Sequence, residues 1–308
     1  MKILITGGCG FIGVNVVKQL NKKHELICYD NLSMGKKEDI LEFSTDFIKG
    51  DIKNFDLLLD SSKGCDAIIH LAAFTNVIDS INNPRMSVIE NVIGTVNVFE
   101  AARKNGVQKV IFASTGGAIL GDVEPPVHEE ILPKPISPYG ASKLCCEAYA
   151  YAYAGSYNLD SIGLRFANVY GPYSYHKGSA VAKFFKNILN EKPLIIFGDG
   201  KQTRDFVFVE DLAAIIEKTI VSDIKGFEQF HLGSGKEVSI LELVKLIKKV
   251  TGKEELQIKF KDARKGEIIR NYTMIDKAKE LLGYEPSFEL KDGLMKTWDW
   301  FLENKSII

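Results

Sequence analysis

Tyr139 and Lys143 stand four residues apart in the run Ser137-Pro138-Tyr139-Gly140-Ala141-Ser142-Lys143. A serine followed by a proline reads as a helix start, the serine as N-cap and the proline at the first helical position. In that helix the i, i+4 spacing puts a phenol and an ammonium on one face. A free tyrosine titrates near about pH 10 and is a poor base at neutral pH, but an adjacent ammonium favours the phenolate and makes the pair a general base for a hydroxyl proton. Upstream, Ser114 and Thr115 close a β-branched run. A hydroxyl there either holds a substrate oxygen beside Tyr139 or caps a turn.

A second cluster sits at the N-terminus. Gly7, Gly10 and Gly13 form a Gly-x-x-Gly-x-x-Gly turn after an aliphatic run and before an amphipathic one. Glycines there let backbone N–H groups approach a pyrophosphate, and the helix start favours that anion. The next β-rich run ends at Asp30, followed by Asn31. A carboxylate at that point accepts hydrogen bonds from an adenosine ribose diol and repels a 2′-phosphate, which favours NAD over NADP; a solvated turn is the other reading. Asp51 follows Phe47-Ile48-Lys49-Gly50 and is either a ligand for the adenine amino group or a turn residue. Leu71-Ala72-Ala73 supplies small residues where backbone would lie against the cofactor, or simply a packed strand end.

The elements that must hold these groups are legible as periods. Lys2–Thr6, Glu25–Tyr29, Ala67–Leu71, Lys109–Ala113 and Ser161–Phe166 read as strands, and Ile12–Asn21, Val88–Lys104 and Pro138–Tyr157 as helices between them. That alternation predicts an α/β fold, a Rossmann-like doubly wound parallel sheet, over residues 1–168. From 169 to 308 the pattern loosens, with glycine and proline punctuation, and predicts a smaller substrate lobe. Segments near 206–220 and 230–234 have the character to return to the first lobe, so the lobes are expected to interleave.

Composition excludes several alternatives. The 308 residues carry 39 Lys and Arg against 40 Asp and Glu, which leaves no basic field for nucleic acid or an anionic membrane. The five cysteines lack paired spacing and suit a reducing cytoplasm. No apolar run is long enough to span a bilayer. The five histidines show no metal-ligand spacing, and Gly233-Ser234-Gly235-Lys236-Glu237 lacks the first glycine and the hydroxyl of a P-loop, so no metal site is expected.

Taken in order, the motifs resemble the extended short-chain dehydrogenase/reductase family, in particular its nucleotide-sugar epimerase and dehydratase branch. The resemblance covers most of the chain. It runs through Gly7-Gly8-Cys9-Gly10-Phe11-Ile12-Gly13, Asp30-Asn31-Leu32-Ser33, Gly50-Asp51-Ile52, His70-Leu71-Ala72-Ala73, Asn91-x-x-Gly94-Thr95, Ser114-Thr115, the Tyr139 and Lys143 pair, Arg165-x-x-Asn168-Val169-Tyr170-Gly171-Pro172 and Gly198-Asp199-Gly200-x-x-x-Arg204-Asp205-Phe206. It implies NAD contacts at Gly7, Gly10, Phe11, Ile12, Gly13, Asp30, Asn31, Asp51, Ile52, Leu71, Ala72, Ala73 and Asn91. It also implies that Tyr139 is the base, that Lys143 holds the nicotinamide ribose, and that Thr115, or Ser114 in its place, aids proton transfer. Asn168, Arg204 and Arg264 are implied to bind the nucleotide diphosphate of the substrate, with Glu267 near a uridine ribose. A cytoplasmic homodimer follows from the same resemblance, through helices near Asn91–Lys104 and Gly140–Tyr157. Leu144, Ala148, Tyr151 and Ala152 form an apolar stripe on the second helix that either serves that contact or faces the core.

Two departures refine the expectation. Leu120 replaces the tyrosine usual before glycine in the turn after the catalytic hydroxyl, which removes a phenol expected in the pocket. Gly116-Gly117 stands where dehydratase relatives carry an Asp-Glu pair, so the acid for expelling a 6-hydroxyl is missing. The expected activity is therefore NAD-dependent 4-epimerisation of a nucleotide sugar, a UDP-hexose, with a 4,6-dehydratase or decarboxylase working through the same 4-keto sugar as the alternative. A non-catalytic NAD-binding sensor or scaffold is a third reading, which the intact Tyr139, Lys143 and Thr115 set disfavours.

Overall fold

The computed structural model describes residues 1–263 and 268–308. Its centre is a seven-stranded, all-parallel sheet. Five strands come from the first half: β1 (Lys2–Thr6), β2 (Glu25–Asp30), β3 (Asp46–Lys49), β4 (Ala67–His70) and β5 (Lys109–Thr115). β6 (Asp160–Phe166) and, from deep in the second half, Phe227–Leu232 complete it. With β7 (Asn168–Tyr170), β8 (Leu194–Phe197), β9 (Thr203–Arg204) and β10 (Phe206–Phe208) counted on the way, the last of these is β11, and the order is β11-β6-β5-β4-β1-β2-β3. The reversal between β1 and β4 opens a crevice at the carboxyl ends of the strands, where a doubly wound sheet binds its ligand.

Helices cover both faces. α1 (Phe11–Leu20) lies on one, α2 (Phe55–Ser61) on the other. After the short α3 (Val77–Asn82) and α4 (Pro84–Met86), a π-helical stretch at Ser87–Ile93 runs into α5 (Gly94–Asn105). α6 (Gly117–Leu120) follows β5, and α7 (Pro138–Tyr157) matches the expected helix. Ser137 caps α7, its side chain accepting from Gly140 N, with Pro138 at the first position. α8 (Ala180–Leu189) belongs to the second lobe, whereas α9 (Val209–Ile220) packs against α1.

The chain between 206 and 232 serves both cores, with Phe206 and Phe208 in the second. Val207, Leu212, Ile216, Phe230 and Leu232 join Ile3, Val14 and Ile69 in one core. A separate core gathers Phe184, Phe185, Leu243, Ile247, Leu294, Trp298 and Phe301. No helix among the described residues is long and apolar enough to cross a membrane.

Candidate active site

The glycine turn is shaped by close packing. A Cβ on Gly7 would lie 2.6 Å from Ala72 N, and one on Gly13 would lie 2.1 Å from Gly7 O. α1 begins at Gly10 without any side-chain cap, which leaves its first-turn N–H groups available to an anion. Beside it, Asp30 is buried: one carboxylate oxygen accepts from Cys9 N at 3.1 Å and the other from Leu32 N at 2.7 Å. Burial pushes its carboxyl up, and the two amides pull it back. Asn31 donates to Asp51 at 3.1 Å, and Asp51 also accepts from Lys53 N at 2.9 Å. Burial raises the Asp51 pKa, but these bonds and the Lys53 ammonium outweigh it and hold it low. Asn31, Asp51, Gly50 and Asn54 line a cavity of about 350 Å³ at the sheet edge. Leu71, Ala72 and Ala73 follow β4, half-buried, toward this turn. Phe11 and Ile52 are buried packing residues and Ile12 is partly buried. This cradle of glycine, small residues and free amides suits the pyrophosphate and adenosine of a dinucleotide.

Asn91 is placed differently from a ligand. Its amide oxygen accepts from Phe74 N at 2.7 Å, and its nitrogen donates to Phe74 O at 3.0 Å and Ser142 Oγ at 2.9 Å. It sits in the π-helical stretch, 1 % exposed, and staples the segment after β4 to α7. Its contribution to a cofactor site is to fix backbone.

The expected catalytic residues come together near the end of β5. Tyr139 is buried, and the Thr115 hydroxyl lies close enough to its phenol to favour the phenolate. Lys143, 3 % exposed, donates to Ala113 O at 2.9 Å. Burial pushes Tyr139 up to about 12 although the Thr115 hydroxyl favours the phenolate, and burial lowers Lys143 against the opposing pull of Cys146 and Glu147. Desolvation dominates at Tyr139, so a phenolate here calls for more positive charge than these residues supply. Behind Lys143, His70 is buried between Thr6 Oγ1 at 2.7 Å and Thr95 Oγ1 at 3.0 Å. Burial first, and Lys143 second, lower it to about 3, so it is neutral.

Ser114 is turned away from this centre. Its hydroxyl donates to Glu147 Oε1 at 2.7 Å and it is 4 % exposed, because successive side chains on a strand point to opposite faces. The structure brings Thr115, not Ser114, to Tyr139. Glu147 in turn takes a two-pronged bond from Arg165, at 2.9 and 2.7 Å, and Arg165 Nη1 lies 3.4 Å from His231 Nε2. Sequence reading missed this network, since its members are far apart in the chain.

In the second lobe, Asn168, Arg204, Ser179, Lys183 and Phe206 line a cavity of about 220 Å³. Arg204 reaches the carbonyls of Thr203 at 2.7 Å and Ile268 at 2.8 Å. Arg264 and Glu267 lie outside the described residues. Asp205, fully buried, holds the floor by accepting from Ser234 N at 2.7 Å and Gly235 N at 3.1 Å.

The two departures acquire physical reasons. Leu120 is fully buried with Ile119 and Val127, packed by Val123, Ile131 and Leu144, so this position belongs to a small core and not to the pocket wall. A Cβ on Gly116 would stand 3.1 Å from His231 Nδ1, and one on Gly117 only 2.7 Å from Asn271 Nδ2. Asn271, buried and missed at the sequence level, thus fills the space where a side chain at 117 would go. The nearby acids are held elsewhere: Glu124 pairs with Arg270 at 2.7 Å and Glu129 accepts from His231 N at 2.7 Å. Among the described residues no group of His, Cys, Asp or Glu is placed to hold a metal ion.

Comparison with known proteins follows this geometry. The profile of the NAD dependent epimerase/dehydratase family matches residues 3–233. UDP-glucose 4-epimerase of Mycolicibacterium smegmatis is 36% identical over 316 residues, covering 99% of this chain and 100% of the relative. The crystal structure of UDP-glucose 4-epimerase from Thermotoga maritima with UDP-glucose superposes with a TM-score of 0.93 at 36% identity, covering 99% of this chain and 100% of that one. A dTDP-glucose 4,6-dehydratase from Streptomyces venezuelae, solved with NAD, gives 0.93 at 31% identity over 100% of this chain and 98% of its own. With its doubly wound sheet, its glycine turn and its Tyr139–Lys143–Thr115 centre, the chain belongs to the NAD-dependent epimerase/dehydratase family, in the epimerase-like branch of the extended short-chain dehydrogenases/reductases.

Proposed function

We propose that this chain is an NAD-dependent nucleotide-sugar 4-epimerase whose substrate is a UDP-hexose. Gly7, Gly10 and Gly13 with the free amides of α1 would hold the pyrophosphate of NAD, Asp30 the adenosine ribose and Lys143 the nicotinamide ribose. Bound NAD supplies a hydride acceptor at C4 of the sugar and a positive charge near the phenol. Tyr139, in contact with Thr115, would take the proton of the sugar 4-hydroxyl as C4 gives up its hydride and, once the 4-keto sugar has turned, would return that proton to O4 as the hydride comes back to the opposite face of C4. Asn168 and Arg204 hold the nucleotide diphosphate while the sugar turns, the planar guanidinium pairing with phosphate oxygens.

The observation that carries this reading is the Gly116-Gly117 step. Dehydration needs one group to take the C5 proton and another to protonate the departing C6 oxygen; Gly116 and Gly117 have no side chain for either task, and a Cβ at 117 would require Asn271 to move. The test is a panel of nucleotide sugars in deuterated water read by NMR. A C4-inverted product with its 6-hydroxyl and no deuterium at C5 is expected; a 6-deoxy-4-keto product carrying deuterium would replace the epimerase by a dehydratase.

The assembly proposed is a homodimer. Ala148, Tyr151 and Ala152 are exposed in the single chain, Tyr151 at 72 %, and Val88 and Ile93 on the neighbouring helix are exposed too. The stripe on α7 therefore divides, with Leu144 packed on the small core around Leu120 and the other three facing outward, and an unpartnered apolar face of this kind supports a second copy. Light scattering that finds only monomer at micromolar concentration would reject it.

A further inference from the structure

The buried network behind the active site joins three elements at the point where their relative placement decides the chemistry. β5 ends in Ser114 and Thr115, α7 carries Tyr139, Lys143 and Glu147 at successive i, i+4 positions, and β6 carries Arg165, paired in register with Ser114. Glu147 accepts from Ser114 at 2.7 Å and from both prongs of Arg165, and Ser114, Glu147 and Arg165 are each less than 5 % exposed.

Resting on the reading of Tyr139 as the base, we propose that Glu147 and Arg165 are positioning residues, a clamp that sets the axial register of α7 against β5 so that Tyr139 meets Thr115 and Lys143 meets the Ala113 carbonyl. A planar guanidinium on a carboxylate fixes direction as well as distance. The Ser114 bond ties the clamp to the residue next to Thr115. A slide of α7 by a fraction of a turn would part Tyr139 from Thr115 without disturbing the glycine turn.

The same arrangement acts on charge. Lys143 is faced by Tyr139, Cys146 and Glu147 on its own helix, by the Ala113 carbonyl of β5 and by His70 of β4. Burial pushes its ammonium toward neutrality, and the Glu147 carboxylate opposes that. The clamp therefore also keeps a cation beside the base.

The experiment replaces the pair by apolar side chains of similar size, Glu147→Leu with Arg165→Met, an exchange that buried ion pairs tolerate in stability. NAD affinity, KM and kcat are measured with the nucleotide sugar that the panel identifies. Tyrosinate absorbance is titrated with and without NAD, and the step missing from Tyr139→Phe is assigned to Tyr139. The expected result is NAD affinity and KM within about threefold of the parent, kcat down about 10²-fold and the Tyr139 step moved to higher pH. An unchanged kcat together with an unchanged Tyr139 step would overturn the clamp. Ser114→Ala, which removes one arm and leaves the ion pair, covers the case in which the double variant does not fold: about a tenfold loss of kcat at constant KM supports the proposal, and no loss overturns it. If the panel yields no substrate, the epimerase reading fails, while the Tyr139 step still decides the clamp.

Discussion

The proposed cofactor cradle and the proposed nucleotide cavity are built in opposite ways. The cradle is local: Gly7 to Gly13, Asp30 and Ala72 come from the ends of three strands adjacent in the sheet and would act largely through backbone and small size. The cavity is assembled from Asn168 and Arg204 on two strands and Ser179 and Lys183 at the start of α8, and would act through side chains. A site made of backbone tolerates little change but demands few residue types. One made of side chains can be retuned residue by residue, which suits a family whose members share a cofactor and differ in sugar.

The largest effect should fall where the two halves meet. Tyr139→Phe deletes one oxygen and should lower turnover on the order of 10⁴-fold while leaving NAD and nucleotide binding intact. Steady-state kinetics with parallel calorimetry check this, and substantial residual turnover would move the base elsewhere. Next comes the cradle. Gly13→Ala drives a methyl into the Gly7 carbonyl, so NAD affinity should drop about 10²-fold, in keeping with ~3 kcal/mol of overpacking, with nucleotide affinity unchanged. On the cavity side, Arg204→Ala should weaken UDP about tenfold or more, the weight of a charge-assisted hydrogen bond, and leave NAD untouched. If either variant disturbs both ligands equally, the division between the two regions is wrong.

A pH prediction sharpens the contrast further. His70 lies under the cradle and His231 behind Gly116, and burial, aided by Lys143 and by Arg165 respectively, lowers each to about 3. Both are neutral in the folded chain, whereas the unfolded chain takes up protons below about pH 6.5. Their contribution to stability is whole above that pH and is lost as pH falls toward 3, at ~1.4 kcal/mol per pH unit for each. Burial also lowers His176, to about 4, so urea midpoints measured from pH 7 to 4 should fall accordingly and His70→Gln should remove about a third of the slope. A slope that His70→Gln leaves intact would mean that His70 is already charged in the folded protein.

What the sequence made legible follows the same division. The glycine turn, Asp30 and the helix over Pro138–Tyr157 were readable because each is a local pattern: a turn chemistry, a strand end, a cap and proline. β3 was seen only as the run before Gly50, since four residues half-exposed at a sheet edge carry little period. Asn271, Glu147 and Arg165 were silent as partners because nothing in their spacing reports who meets whom across the fold. Leu120 misled for a related reason, as burial under a loop is set by residues up to Leu144 and not by its neighbours in the motif. The upward push of burial on Tyr139 was not legible: spacing reveals an ammonium, but only packing reveals how much water is excluded.

The placement of β11 has a consequence for how the chain comes into being. Ile162, Leu164 and Phe166 on β6 are covered on one edge only by a strand drawn from residues 227–232. A nascent chain that has emerged through β6 therefore presents an open parallel edge, and α1 still lacks its partner α9. The sheet closes only after the ribosome has delivered more than two thirds of the polypeptide, by which time much of the second core has been made as well. Vectorial synthesis thus gives no early resting place after β6: the sheet is completed only when β11 arrives, and the first core only when α9 and β11 have joined it.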